Sequence, residues 1–133
     1  MSVTAAQGFR AAGVAAGLKS TGAADVAVVV NDGPTQSAAA VFTSNRCKAN
    51  PVLWSEQAIT GGTAKAVAIN SGGANCYTGA EGFATTHRTA ELVAERLGVG
   101  AVEVQVCSTG LIGLLNDRDD LLAGVGSAID ALA

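Results

Sequence analysis

Apolar residues in this chain come in short runs broken by glycine and by polar turns, and the runs change character along the sequence. Residues 26–30, Val-Ala-Val-Val-Val, form a continuous apolar run that suits a strand covered on both faces, and it stops at Asn31-Asp32-Gly33-Pro34, a strong turn signal. Residues 37–43 follow at hairpin distance, so the pattern predicts an antiparallel pair between 26 and 43. The first twenty residues hold Gly8, Gly13 and Gly17. That is too much glycine for a stable helix, so an extended, curved strand pair is predicted there.

Beyond residue 50 the period lengthens. Proline suits a first helical turn, so Asn50-Pro51 opens a helix in which Val52, Leu53, Gln57, Ala58 and Ile59 can share a face before Gly61-Gly62 ends it. Trp54 is read as packing at that helix's edge rather than as part of a ligand site. A strand over 66–70, a helix over 79–97, a strand over 101–107 and a helix over 117–132 complete the chain. Strand alternating with helix predicts an α/β layering. No internal repeat and no long polar linker divides the sequence, so 1–133 reads as a single domain.

Composition narrows the picture. At 133 residues the chain can bury a core without disulfides. Its apolar half is mostly Ala and Val with 4% aromatics, which implies thin layers of small side chains and a need for a partner surface. The net charge of −3, with eight scattered Lys and Arg, argues against a nucleic-acid groove. No apolar run approaches the roughly 20 residues that span a bilayer, and no basic segment precedes a hydrophobic one at the N-terminus. A soluble, cytoplasmic protein is expected, with neither nucleic acid nor membrane as partner.

Cys47, Cys76 and Cys107 are an odd set at wide spacing, which fits reduced, small, buried residues rather than a disulfide framework. With only His87 to join them they predict no metal site. A Cys–His nucleophile, with His87 as base to Cys107 or Cys76, lacks a recognisable orienting group. His87 is read instead as a surface or helix-packing residue.

The candidate chemistry lies at two strand ends. The run Val104-Gln105-Val106-Cys107 stops at Ser108-Thr109-Gly110, with Gly113 three residues on, and Ala66-Val67-Ala68-Ile69 stops at Asn70-Ser71-Gly72-Gly73-Ala74-Asn75. Hydroxyls and free N–H groups at such ends suit a developing negative charge, because glycine lets the main chain approach a substrate closely. Ordinary strand-to-helix turns use the same residues. The stretch 70–79 lacks GxxxxGK[ST], GxGxxG and any Lys or Arg, which argues against phosphate binding. It remains either a structural turn or a loop whose Asn70, Ser71, Asn75 and Thr78 line a site.

Four segments, GFRAAGVAAGLK at 8–19, AVFTSNRCKANPV at 40–52, AINSGGANCYTG at 68–79 and VCSTGLIG at 106–113, resemble in order and spacing the N-terminal part of the ornithine acetyltransferase family, the bifunctional glutamate N-acetyltransferases of arginine biosynthesis. The resemblance implies an α/β fold that is part of a layered α-β-β-α sandwich completed by a β chain. It implies transfer of an acetyl group from N-acetylornithine to glutamate, with acetyl-CoA as donor in some members, through a threonine acyl-enzyme and no other cofactor. Thr109 and Gly110 match the family's oxyanion hole, and Ser108, Asn70, Ser71 and Asn75 would line the substrate site. The family's autoprocessed α and β chains associate as α2β2.

The nucleophilic threonine, which follows a Lys-Gly-rich cleavage segment in the family, has no counterpart among Thr43, Thr78, Thr85, Thr86, Thr89 and Thr109. The chain is therefore expected to be about the first two-thirds of the α segment, active only with the chain that brings the nucleophile. Two local departures stand out: Asn75-Cys76-Tyr77-Thr78-Gly79 replaces Asn-Ala-Cys-Thr-Gly, and Asn116-Asp117-Arg118 replaces Leu-Pro-Met, so the last helix is expected to shift. The short span of the chain and the changed Asn116-Asp117-Arg118 segment motivate an alternative, a catalytically inactive binding or structural module that kept the fold. An amidohydrolase or aminopeptidase of the same broad fold is a third reading. Arg46 and Lys48 are read as a solvated loop rather than a substrate-steering pair.

Overall fold

The computed structural model describes residues 2–133. One sheet carries strands β1 (Phe9–Val14), β2 (Val26–Asn31), β3 (Ala66–Asn70) and β4 (Val104–Ser108) in that order. β1 and β3 flank β2 antiparallel, and β4 runs parallel to β3. Helices α1 (Asn50–Ala58), α2 (Gly79–Leu97) and α3 (Arg118–Asp130) complete the fold.

Alternation along the strands sets the layers. Val26, Val28 and Val30, Ala66 and Ala68, and Val104 and Val106 are buried in one cluster with Trp54, Ala90, Val93, Leu121, Val125 and Ala128 of the helices. On the opposite face Ala27, Val29 and Val67 are half-buried, Ile69 and Cys107 are exposed, and Gln105, beside α1 and residues 38–42, is buried. The strand expected to be covered on both faces is thus covered on one. The other face is an apolar surface without a layer on it among the described residues.

Four expectations change. Residues 37–43 form no strand beside β2, because β1 and β3 already fill both of its edges. That stretch meets the 62–64 turn instead, through Ala38 N–H to Gly62 O (2.9 Å) and Ala64 N–H to Gln36 O (2.9 Å). The first twenty residues contribute one strand and a short 3-10 turn, Val3–Ala5, rather than a pair. β4 starts at Val104 since 101–103 close a 3-10 turn, in which Glu103 accepts from Gly100 N–H at 2.9 Å. Finally, α1 buries Pro51, Trp54, Ser55 and Ala58, not Leu53 and Gln57, because its inner face must reach β4.

That contact closes a sheet edge. Trp54 Nε1 donates to Val104 O (3.0 Å), while Ser55 Oγ donates to Val106 O (3.0 Å) and accepts from Val106 N–H (3.1 Å). Two side chains so occupy backbone groups that an edge strand would otherwise expose.

Candidate functional site

β3 and β4 are parallel and in register to Asn70 and Ser108, so their following loops leave the same end of the sheet side by side. Main-chain bonds continue the pairing past the strand ends. Thr109 N–H donates to Asn70 O (3.0 Å), Leu111 N–H to Gly72 O (2.9 Å), Ala74 N–H to Leu111 O (2.9 Å) and Gly113 N–H to Cys76 O (2.9 Å). Gly110 sits at the crossing with φ +123°, and any Cβ there would overlap the Gly72 carbonyl. Only glycine satisfies both the dihedral and the contact.

The consequence is a pair of free donors. Thr109 and Gly110 are exposed, and among the described residues neither the Thr109 hydroxyl nor the Gly110 N–H has a hydrogen-bond partner. Adjacent donors on a backbone fixed from behind are what charge stabilisation in a transition state requires, since they need no reorganisation when charge develops.

The polar residues around this pair divide by what they touch. Asn70, 3% exposed, accepts on Oδ1 from Asn116 Nδ2 (3.2 Å), and Asn116 Oδ1 in turn accepts from Gly73 N–H (2.8 Å). Ser71 donates from N–H (2.9 Å) and Oγ (3.4 Å) to Asp25 O. Ser108, half-buried, lies in the wall of an apolar cavity of about 450 Å³ between α1, the sheet and residues 38–42.

Asn75 belongs elsewhere. Its Nδ2 donates to Gly82 O (2.9 Å) and Thr86 Oγ1 (2.9 Å), and its Oδ1 accepts from Asn50 Nδ2 (3.1 Å) and Thr78 Oγ1 (2.5 Å). All four positions of the amide are used in tying α1 to the start of α2, which leaves none for a ligand.

Thiol chemistry finds no support here. Cys76 is buried but Cys47 and Cys107 are exposed, against the expectation of three buried cysteines, because 38–49 forms an outer segment and Cys107 points to the open sheet face. Desolvation pushes the Cys107 thiol up, away from the thiolate a nucleophile needs. His87 lies against Trp54 (ring centroids 4.8 Å) and Glu91 rather than any cysteine. Among the described residues no group of three or more His, Cys, Asp or Glu could hold a metal ion. Lys48 pairs with Glu56 at 2.5 Å, and Arg46 is exposed.

Asp25 and Asn116 escape a reading by motif. Asp25 looks like one more polar residue in a hairpin, and Asn116 like a departure, yet both hold the glycine loop from behind, Asp25 by its carbonyl at Ser71 and Asn116 by its amide oxygen at Gly73. Asp117 caps α3 by accepting from Asp119 N–H and Asp120 N–H, both at 3.0 Å, so a side-chain cap does what a proline would do there.

The ArgJ family model matches residues 10–133. The arginine biosynthesis bifunctional protein ArgJ of Streptomyces coelicolor is 61% identical over 133 residues, which is 100% of this chain and 35% of that protein. That of Thermobifida fusca is 60% identical over 129 residues, 97% of this chain and 34% of that protein. The chain thus spans about a third of the length of the curated relatives it matches. Among solved structures, the ornithine acetyltransferase of Mycobacterium tuberculosis in complex with ornithine superposes with a TM-score of 0.96 at 56% identity, over 98% of this chain and 70% of that one. ArgJ from Bacillus halodurans gives 0.88 at 33% identity, over 94% and 65%. With α3 capped by Asp117, the chain matches the former over nearly its whole length. A family model matched over residues 10–133 and 61% identity along the whole chain, on a fold shared with these solved structures, make this chain a member of the ArgJ family.

Proposed function

We propose that this chain supplies the oxyanion hole of an acetyltransferase that moves an acetyl group from N-acetylornithine to glutamate, with acetyl-CoA as an alternative donor. The carrying observation is the unengaged Thr109 hydroxyl beside the unengaged Gly110 N–H, on a loop fixed by Gly72. Attack on the acetyl carbonyl by a threonine hydroxyl, whose own amine takes the proton, places negative charge on the carbonyl oxygen. The two donors then stabilise it, and as the threonine's ammonium returns the proton to the leaving nitrogen, collapse of the tetrahedral intermediate expels ornithine as the amine and leaves an acyl-threonine. Glutamate's amine attacks that ester in the second half-reaction. Neither half needs a metal or another cofactor. Ser108, Asn70 and Ser71 frame the substrate end of the site, and Asn75 supports the loop.

The threonine comes from a segment outside these residues, a β chain released by autoprocessing of the same precursor and joined to this one as α2β2 in the cytoplasm. Two observations support that partner: the chain spans about a third of its relatives' length, and the apolar face bearing Val29, Val67 and Ile69 carries no covering layer. In the full-length protein, Thr109→Ala should lower acetyl transfer to glutamate by roughly 10²–10³, as loss of one oxyanion donor does. An unchanged rate in that variant removes Thr109 from the mechanism.

A further inference from the structure

Behind the glycine loop lies a buried carboxylate that no step of the reaction uses. Asp25, 4% exposed, stands at the start of β2, and its Oδ1 accepts from Ala16 N–H (2.7 Å) while its Oδ2 accepts from Lys19 N–H (3.0 Å). Burial pushes this carboxyl up, but the backbone donors outweigh it and hold it below its ordinary value, so it stays charged. One side chain therefore folds residues 16–19 into a tight turn around itself.

That turn touches the site. The Leu18 carbonyl lies 3.0 Å, and its Cβ 3.4 Å, from where a side chain on Gly72 would begin. Gly72 has φ +112° and packs its own carbonyl against Gly110 while accepting from Leu111 N–H. From the other side, the Asp25 main-chain carbonyl holds Ser71. Asp25 thus grips the Ser71-Gly72 pair twice, by its own backbone directly and by its carboxylate through Leu18.

We infer that Asp25 is a positioning residue for the oxyanion loop: its carboxylate presses the 16–19 turn onto Gly72, and Gly72 fixes the direction of the Gly110 N–H. This rests on the proposed acetyl transfer for its functional half, whereas the structural half stands apart from it.

The test uses the full-length protein carrying Asp25→Asn, which keeps the shape but sets an amide donor against the backbone donors. Amide hydrogen exchange at Leu111 and Ala74 reports the loop directly, and we expect it to quicken by about 10-fold or more. Turnover per active site, normalised to the acyl-enzyme burst, should fall by about 10-fold with the KM for N-acetylornithine little changed. A merely destabilised protein would lose burst amplitude instead and keep its turnover per site. Should Asp25→Asn fold poorly, Leu18→Gly leaves the carboxylate in place, removes the side chain against Gly72, and should move both readouts the same way by less. Unchanged exchange at Leu111 overturns the inference, as does faster exchange with full turnover per site. Absence of acetyl transfer in the unsubstituted protein would bring down the proposed function alone, and the exchange result would still decide whether Asp25 holds the loop.

Discussion

Strand β2 has an aspartate at each end, and the two are held in opposite ways. Asp25, at the site end, is buried and takes its hydrogen bonds from backbone N–H groups. Asp32, at the far end, is exposed and sits between two cations, Arg10 Nε at 2.5 Å and Lys65 Nζ at 2.8 Å. Each end must bring neighbouring strands together: Arg10 lies on β1, Lys65 just precedes β3, and Asp25 joins the turn after β1 to the loop after β3. At the far end, flexible charged side chains suffice because nothing there has to be placed to a fraction of an ångström. At the site end, main-chain contacts are rigid and escape screening by salt. The same strand is thus pinned loosely at one end and tightly at the other, and the tight end is where Gly110 is aimed.

The sharpest way to break the tight end is Gly110→Ala. The new methyl would meet the Gly72 carbonyl at a φ of +123°, so the two loops must separate. We expect a loss of about 2–4 kcal/mol in unfolding free energy, measured by denaturant titration. The full-length protein should lose acetyl transfer by at least about 10². A variant with native stability and native turnover would mean that the Gly72–Gly110 contact positions nothing.

Replacing Asp25 by Ala comes next in size. Two backbone donors lose their acceptor, and with partial access to water the cost should be about 2 kcal/mol. That loss should persist in 1 M salt, because the bonds are short and buried. A cost that melts away in salt would place Asp25 in the same class as Asp32 and dissolve the contrast.

How much of this contrast can be read from the residues alone follows from what each feature depends on. The 66–70 strand and the 79–97 helix are legible because glycines bracket a clean period, and Gly98 at φ 69° ends the helix. Thr109 and Gly110 are legible as a strand ending in hydroxyl and glycine. Residues 37–43 mislead, since a strand's partner is settled by competition for its two edges, and Ala66–Asn70 outcompetes a nearer but less apolar segment. Asn75 looks like a site residue, but its amide is used up by Asn50, Thr78, Gly82 and Thr86, which lie up to 25 residues away in sequence. Asp25 is invisible because its partners are backbone N–H groups, which leave no side-chain signature. The Arg10–Asp32–Lys65 trio is hidden for a related reason: strand register, not local spacing, brings it together.

The smallest expected effect belongs to the loose end, and its pH dependence separates it from the tight one. Arg10, and then Lys65, hold the Asp32 carboxyl down from 3.8 to about 2. A carboxyl whose folded value lies below its unfolded value adds stability that is fully present above the unfolded value. That stability drains away as pH falls through the folded value. The Asp32 contribution should therefore be constant at neutral pH and disappear between roughly pH 4 and pH 2. Because both acid and bases are more than a third exposed at Arg10 and Asp32, water and salt screen the pair, and Asp32→Asn should cost less than about 1 kcal/mol at pH 7. Parallel urea titrations of the two proteins at pH 7 and pH 2.5, each in low and 1 M salt, check this: the gap between them should shrink with acid and with salt alike. A gap that survives 1 M salt at pH 7 would mean that Asp32 pins β2 as firmly as Asp25 does, and that rigidity is not reserved for the end that aims Gly110.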